Sequence, residues 1–261
     1  MTADHVWLYA VVSADGPPLP DTSGVAGESP YLVPGPGVAA VAGRVPRADF
    51  DEEPLRARLE DVAWLDRTVR THHRVIAALA TTRPVLPMRY ATVYREDSGV
   101  SAMLSAHRDE LLAILERITG CTEWGVKIYL AHASSALSDS DSVQPADEQR
   151  PGTAYLLRRK AQRWDRQETL RLAADEVGRF HGALAATAVE RARHPLQDSE
   201  TSGRREPMLL NGAYLVADEH LPTWEKMIAS FVADHDELSV EVTGPWPAYS
   251  FTDLGGRPEE T

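Results

Sequence analysis

The sequence has little cysteine and no long apolar run. Among its 261 residues Cys121 is the only cysteine, so an internal disulfide is impossible and a reducing cytoplasm is the expected location. No stretch approaches the roughly 20 apolar residues of a membrane-spanning helix, so we expect no membrane partner. The first residues, MTADHVWLYAVV, lack the cationic start of a secretory signal peptide, and none is expected.

Positive charge is also scarce. Lysine and arginine number 27 against 39 aspartates and glutamates, which gives a formal net charge of −12. This balance argues against nucleic acid as a partner, because its phosphates require a positive surface. One basic run, 158–166 with Trp164 inside it, could be a patch for an acidic partner or a solvated helix face. The acidic total favours the solvated face.

Motifs for common chemistry are missing as well. The sequence contains no phosphate-binding P-loop, no dinucleotide-binding glycine motif, no nucleophile elbow and no HExxH zinc motif. Cys121 has no recognisable base near it in the sequence, which is typical of a structural cysteine. We therefore expect no catalytic residue, no cofactor and no enzymatic activity.

Two histidines allow a sharper alternative. His72 and His107 lie on the apolar stripes of two predicted helices, where they could meet and bind a metal. The first of these stripes also runs through Val62, Val69 and Ile76. The two histidines could equally be hydrogen-bonded residues of the core. The second interpretation is favoured because no third ligand has a suitable spacing. A ligand- or metal-binding enzyme or sensor therefore stays as the alternative function.

The hydrophobic pattern predicts an α+β protein of two domains, over residues 1–121 and 122–251, followed by a tail at 252–261. In the first domain, the pattern predicts strands at 6–12 and 38–45, an irregular loop at 13–37, helices at 51–80 and 98–119, and an extended segment at 84–94. In the second, it predicts strands at 124–130, 192–197, 207–216 and 238–243, helices at 151–191 and 222–234, and a disordered insertion at 133–150. This second order is that of a modified ferredoxin-like, split βαβ fold.

The last strand leads into the segment Gly244–Phe251, GPWPAYSF. Pro245 and Pro247 each remove a backbone donor, so we expect the strand to end at Gly244. Trp246, Tyr249 and Phe251 could form a structural plug for the second domain or an aromatic docking surface. The plug is favoured, with Trp246 and Phe251 holding the fold and Tyr249 the first candidate for an interface.

Four stretches of the chain resemble the GvpL/GvpF family of gas vesicle proteins. They are GPWPAYSF at 244–251, PVLPMRYATVY at 84–94, EWGVKIYL at 123–130 and PGTAYLLRRK at 151–160, in the family's order. The resemblance covers about Val6 to Phe251. One departure is Ala91, where the family's segment leads us to expect glycine.

The resemblance implies a minor, non-enzymatic gas vesicle component that acts in assembly. Its implied partners are the small hydrophobic shell protein, whose aggregation it would limit, and other accessory vesicle proteins. The implied location is the gas vesicle or the cytoplasm. The motif residues are the candidate site: Gly244, Pro245, Trp246, Pro247, Tyr249, Phe251, Pro87, Arg89 and Tyr90. Arg89 is expected to pair with Glu123 or Glu241, or to face a partner.

Overall fold

A computed structural model describes residues 4–131, 152–198 and 203–252 of the chain. The chain forms two compact units: residues up to Glu123 together with those from Pro245 onward, and residues Trp124–Gly244. The sequence-based division differs at the end of the chain, because it assigns 245–251 to the second domain. The predicted insertion at 133–150 and nearly all of the predicted tail lie outside the described residues.

The sheet of the first unit is built around one fully buried strand. Its strands are β1 (His5–Ser13), β2 (Tyr31–Pro34), β3 (Val38–Val45), β4 (Leu86–Pro87) and β5 (Val93–Tyr94). Their order is β2-β3-β1-β4, and β5 also pairs with β1. All of β1 except Ser13 is buried, as its continuous apolar run predicts. The irregular loop predicted at 13–37 is wrong for β2, which pairs antiparallel with β3.

The helices of the first unit are shorter than the sequence pattern predicts. They are α1 (Arg47–Phe50), α2 (Glu52–Leu59), α3 (Val62–Ala80), α4 (Asp97–Ala106) and α5 (Arg108–Ile118). The helix predicted at 51–80 is interrupted before α3, where the Asp61 carboxylate accepts hydrogen bonds from the amides of Ala63 and Trp64. The helix predicted at 98–119 divides at His107.

The buried face of α3 agrees with the predicted stripe only in the second half of the helix. His72 and Ile76 are buried, as the stripe predicts, whereas Val62 and Val69, which the stripe places inside, are exposed. The first turns of α3 start from a new N-cap at Asp61, which a stripe drawn through one continuous helix does not take into account.

The extended segment predicted at 84–94 forms two short strands separated by a turn. The amide of Thr92 donates to the carbonyl of Arg89 over 3.2 Å. Ala91, the third residue of this turn, has a φ of 62° and is the one non-glycine residue with positive φ in the described parts of the chain. A turn with positive φ at its third position normally carries glycine. Ala91, the position where the family's segment leads us to expect glycine, is therefore a strained alanine.

Replacing Ala91 with glycine is expected to stabilise the protein by about 1 kcal/mol, because the left-handed conformation costs alanine about 1–2 kcal/mol and glycine almost nothing. Ala102→Gly in the middle of α4 is the matched control, and it should destabilise by about 1 kcal/mol. Urea unfolding of both variants measures the difference. Equal destabilisation by both substitutions would contradict strain at Ala91.

Along the chain of the second unit, two helices alternate with the strands of another sheet. Its elements are β6 (Cys121–Leu130), which begins in the first unit, α6 (Gly152–Thr187), β7 (Glu190–Arg193), β8 (Met208–Ala217), α7 (Leu221–Asp234) and β9 (Leu238–Trp246). The strand order is β7-β8-β6-β9. β8 passes through Asn211-Gly212 as one continuous strand, as predicted.

The core of the second unit lies between α6, α7 and the sheet. Phe180 of α6 stacks on Phe231 of α7 with ring centroids 3.8 Å apart, and Trp224 is fully buried beside them in the same cluster. Val232, also on α7, is exposed. None of the helices in the described ranges is both long and apolar enough to cross a membrane.

The last strand continues beyond the predicted stop. β9 runs through Gly244 and Pro245 to Trp246, so the prediction that it ends at Gly244 is wrong. β9 is an edge strand, where a proline's missing N–H need not interrupt a ladder of hydrogen bonds. Gly244 has a φ of 132°, a value that other residues rarely adopt. The chain passes from the second unit back to the first at this glycine.

Candidate functional site

Two adjacent histidines of α3 contact two of the motif segments. His72 contacts the segment 84–94, and His73 contacts the segment 244–251. His72 is buried, and its Nδ1 accepts a hydrogen bond from Trp7 Nε1 over 3.0 Å. Its other nitrogen therefore carries the proton and donates to the carbonyl of Met88 over 3.3 Å. Burial lowers the pKa of His72 to about 4, so the ring is neutral near pH 7. His72 is thus a core histidine.

The other histidine of the metal hypothesis lies elsewhere. His107 is exposed between α4 and α5, and its Nδ1 is 3.3 Å from a carboxylate oxygen of Glu110. The prediction of a second core histidine is wrong, because the helix break at His107 places it on the surface. Within the described ranges, no group of three or more His, Cys, Asp or Glu side chains could hold a metal ion.

The segment PVLPMRYATVY is mostly a structural element. Pro87 is buried and pairs with Ala10 of β1, and its strand β4 lies at the end of the sheet order. Tyr90 packs edge-on against Trp7 and shares a hydrogen bond of 2.5 Å with the hydroxyl of Thr68. Arg89 is exposed in the turn. Of the three candidate residues here, only Arg89 is exposed.

Glu123 and Glu241 are the two carboxylates that the sequence suggests for Arg89. Glu123 is buried and accepts hydrogen bonds from the amide and hydroxyl of Ser250, over 2.8 and 2.7 Å. Glu241 lies 3.6 Å from the guanidinium of Arg204 in the second unit.

The C-terminal motif is held on the first unit by a buried anchor. The guanidinium of Arg117 donates to the carbonyl of Phe251 over 2.8 Å, and the Phe251 ring is buried, as is Ala248. Together with the hydrogen bonds that Ser250 donates to Glu123, these contacts fix the short 3-10 helix Tyr249–Phe251. The motif is therefore a plug of the first unit, whereas the sequence-based interpretation had it close the second.

Beside this anchor, two exposed rings and one half-buried ring form a cluster that we call the aromatic patch: Trp246, Tyr249 and His73. His73 Nδ1 shares a hydrogen bond of 2.9 Å with the hydroxyl of Tyr249, and the His73 and Trp246 ring centroids are 5.4 Å apart. Trp246 is 40% exposed and Tyr249 is 38% exposed. The prediction that Trp246 is buried in the plug is thus wrong, because only Phe251 enters the core.

The patch is suited to binding rather than to chemistry. Burial and the nearby Glu123 both raise the pKa of Tyr249, so its hydroxyl stays protonated and available for hydrogen bonding. Tryptophan and tyrosine supply large rigid surfaces with one polar atom each, and they are enriched at binding hot spots. Holding both rings against His73 reduces the conformational entropy lost when a partner binds.

The remaining candidates are structural or solvated. The Cys121 thiol approaches the carbonyls of Arg117 and Thr119 at the end of α5, as a boundary residue would. Trp164 is 70% exposed on α6, and the described side chains of the basic run around it are exposed too: Arg159, Lys160 and Arg163. Their exposure agrees with the solvated face. The side chains of Arg158 and Arg166 lie outside the described residues.

Sequence reasoning missed the residues that position the patch. His73, Arg117 and Glu123 lie at least 120 residues from the motif in sequence, and no local pattern links them to it. One signal was available, because His73 directly follows a residue of the buried stripe of α3. Neighbouring helical residues point in different directions, so His73 had to lie at the margin of that stripe.

The chain is similar to known proteins over nearly its whole length. The family model described as gas vesicle synthesis protein GvpL/GvpF matches residues 5–253. Gas vesicle protein L of Streptomyces sp. (strain CB03234) is 38% identical over 256 residues, which cover 97% of this chain and 95% of that protein. Gas vesicle protein F2 of Halobacterium salinarum is 26% identical over 258 residues, which cover 97% and 94%.

Solved structures show the same fold. The crystal structure of the gas vesicle protein GvpF from Anabaena sp. PCC7120 superposes with a TM-score of 0.66 at 17% identity, over 99% of this chain and all of that one. GvpF from Microcystis aeruginosa gives a TM-score of 0.61 at 16% identity, over 96% and 99%. At these identities the likeness concerns the fold alone.

Proposed function

The chain belongs to the GvpL/GvpF family of gas vesicle synthesis proteins, and from this premise we propose that it is a non-enzymatic assembly factor. Its role is to bind the hydrophobic shell protein, or other accessory vesicle proteins, and to limit aggregation of the shell protein before the vesicle wall forms. It acts in the cytoplasm and at the growing gas vesicle. The observation that supports this role most directly is the aromatic patch of the first unit, with Trp246 and Tyr249 exposed.

The physical requirement comes from the shell protein. A hydrophobic subunit that polymerises must keep its apolar face from self-association until it reaches the growing wall. A patch of tryptophan, tyrosine and histidine can cover part of such a face while the rest of this acidic chain, with a net charge of −12, stays in water. The exposed Arg89 is a polar contact that such a partner can use.

We also propose that the second unit is a modified ferredoxin-like domain. Along the chain the elements run β6-α6-β7-β8-α7-β9, and the sheet order is β7-β8-β6-β9. In a split βαβ fold the first and third strands are neighbours in the sheet, with the second and fourth strands at its edges. The observed order supports that arrangement.

Deleting the gene tests the role in assembly. If the chain is an assembly factor, cells that make gas vesicles should lose most of them on deletion, and the intact gene supplied in trans should restore them, as counted by electron microscopy. Co-purification of the tagged protein with the shell protein from the same cells tests the proposed partner. Normal vesicles after deletion, with no shell protein retained, would refute the proposal.

A further inference from the structure

A cluster of cationic and polar side chains lies on the second unit, beside the edge strand β7. Arg191 is directly opposite Tyr214 of β8, and Arg193 is directly opposite Gly212. Residues that face each other across an antiparallel pair project from the same face of the sheet. Both guanidinium groups are therefore on the face that carries Tyr214. The acidic residue of the strand, Glu190, alternates to the other face.

Helix α6 brings a third group to this face. His181 Nδ1 shares a hydrogen bond of 2.6 Å with the hydroxyl of Tyr214, and the two ring centroids are 5.7 Å apart. Tyr214 is fully buried, so its hydroxyl is a fixed anchor for the imidazole. The cluster therefore combines a histidine of fixed orientation with two arginines from a neighbouring strand.

Small residues leave room around these groups. Gly178 and Ala185 lie one helical turn before and after His181, and a Cβ added at Gly178 would meet nothing within 4 Å. A Cβ at Gly212 would lie 3.0 Å from the Tyr214 hydroxyl, so a side chain there would press on the anchor. Glycine at 212 keeps the hydroxyl, and with it His181, in place.

Two arginines contribute positive charge near the hydroxyl of Tyr214. Burial raises the pKa of Tyr214, and the charges that oppose this rise are Arg193 and Arg191. Neither arginine forms an ion pair with a carboxylate of the described residues, although the chain has 39 acidic residues. Acidic residues of α6 pair with other groups: Glu168 and Asp175 with Arg171, and Glu176 with Arg179.

We propose that Arg191, Arg193 and His181 form a binding site for a small oxyanion, a phosphate or carboxylate group. Planar guanidinium groups bind both through paired N–H donors, and two of them on one strand face can share a single anion. The site lies in the second unit and is separate from the aromatic patch. It therefore adds a ligand to the protein and does not depend on the proposed role in assembly.

The test is a calorimetric titration of the full-length protein at constant ionic strength, with inorganic phosphate in one arm and citrate in the other. The wild-type protein should bind at least one anion saturably, with a Kd of about 1 mM or below, as for one or two charge-assisted pairs. The tighter-binding arm identifies a phosphate or a carboxylate as the preferred source.

Two double variants separate the site from general attraction. Arg191→Gln/Arg193→Gln should weaken binding at least tenfold, whereas Arg159→Gln/Arg163→Gln, with the same change in charge on α6, should leave it unchanged. Tyr214→Phe should weaken binding and shift the His181 ring signals in NMR spectra. No saturable binding by the folded wild-type protein, or an equal loss of binding in both double variants, would overturn the proposal. The two arginines would then serve only to protect the edge strand β7 from aggregation, as charged side chains on edge strands do.

Discussion

Replacing Phe251 with alanine is expected to destabilise the first unit by about 3–5 kcal/mol. The ring is only 4% exposed, and removing it would leave a cavity at the point where Arg117 and Glu123 hold the C-terminal segment. Phe251 belongs to the first unit, so the loss of stability is expected there, although the residue follows the last strand of the second unit. Hydrogen exchange can locate it, because the two units are measured separately through their own amides.

In the Phe251→Ala variant, amides of α3 and β1 should exchange faster, while those of β8 keep their protection. Trp246→Ala is the matched control, since it removes a larger ring that is 40% exposed, and it should cost clearly less. Loss of protection confined to β8 and α7 would show that the motif closes the second unit after all.

Removing the two exposed rings, in a Trp246→Ala/Tyr249→Ala variant, is expected to weaken binding of the shell protein at least tenfold. Central aromatic hot spots typically contribute about 2 kcal/mol or more to binding, and 1.4 kcal/mol corresponds to a factor of ten. The fold should survive, because Phe251, Ala248 and the bonds to Ser250 remain. Surface-immobilised binding assays, with melting curves of each variant, measure the two effects independently.

A second pair of substitutions controls for the loss of exposed apolar area. Val62→Ala/Val69→Ala removes two exposed side chains of α3, the helix that also carries His73, and it should leave binding unchanged. Tyr249→Phe keeps the ring but loses the bond to His73, so it tests whether His73 positions the patch. Equal binding by wild type and the Trp246/Tyr249 variant would exclude the patch as the contact surface.

Local patterns in the sequence predict most of the strands and the family. β1, β3 and β8 follow from apolar runs and alternation, and the motif at 244–251 identifies the relatives. The helix breaks at Asp61 and His107 were missed because the apolar stripe continues across them. The competing signal at Asp61 is one capping side chain, and His107 makes no side-chain cap. β2 was missed because it lies in a segment rich in proline and glycine, two residues that are depleted in strands.

Trp246 and Tyr249 of the aromatic patch were among the candidates taken from the sequence, whereas His73 and the location of the patch were not. The sequence shows that Trp246, Tyr249 and Phe251 are close together, yet it cannot show which unit they contact, because their partners His73, Arg117 and Glu123 are distant along the chain. The family's expectation of glycine at Ala91 did point to a real feature, the positive φ of the turn. Long-range contacts, rather than propensities, decide which of the three aromatics is buried.

The central claim is that this protein binds the shell protein and limits its aggregation. The direct measurement is the fraction of shell protein left in the supernatant after centrifugation, when it is produced with and without this chain in equal amounts. We expect the wild-type chain to keep most of the shell protein soluble in a shared complex, and the Trp246→Ala/Tyr249→Ala variant to lose this effect. Shell protein that sediments equally with the wild-type chain and without it would contradict the account.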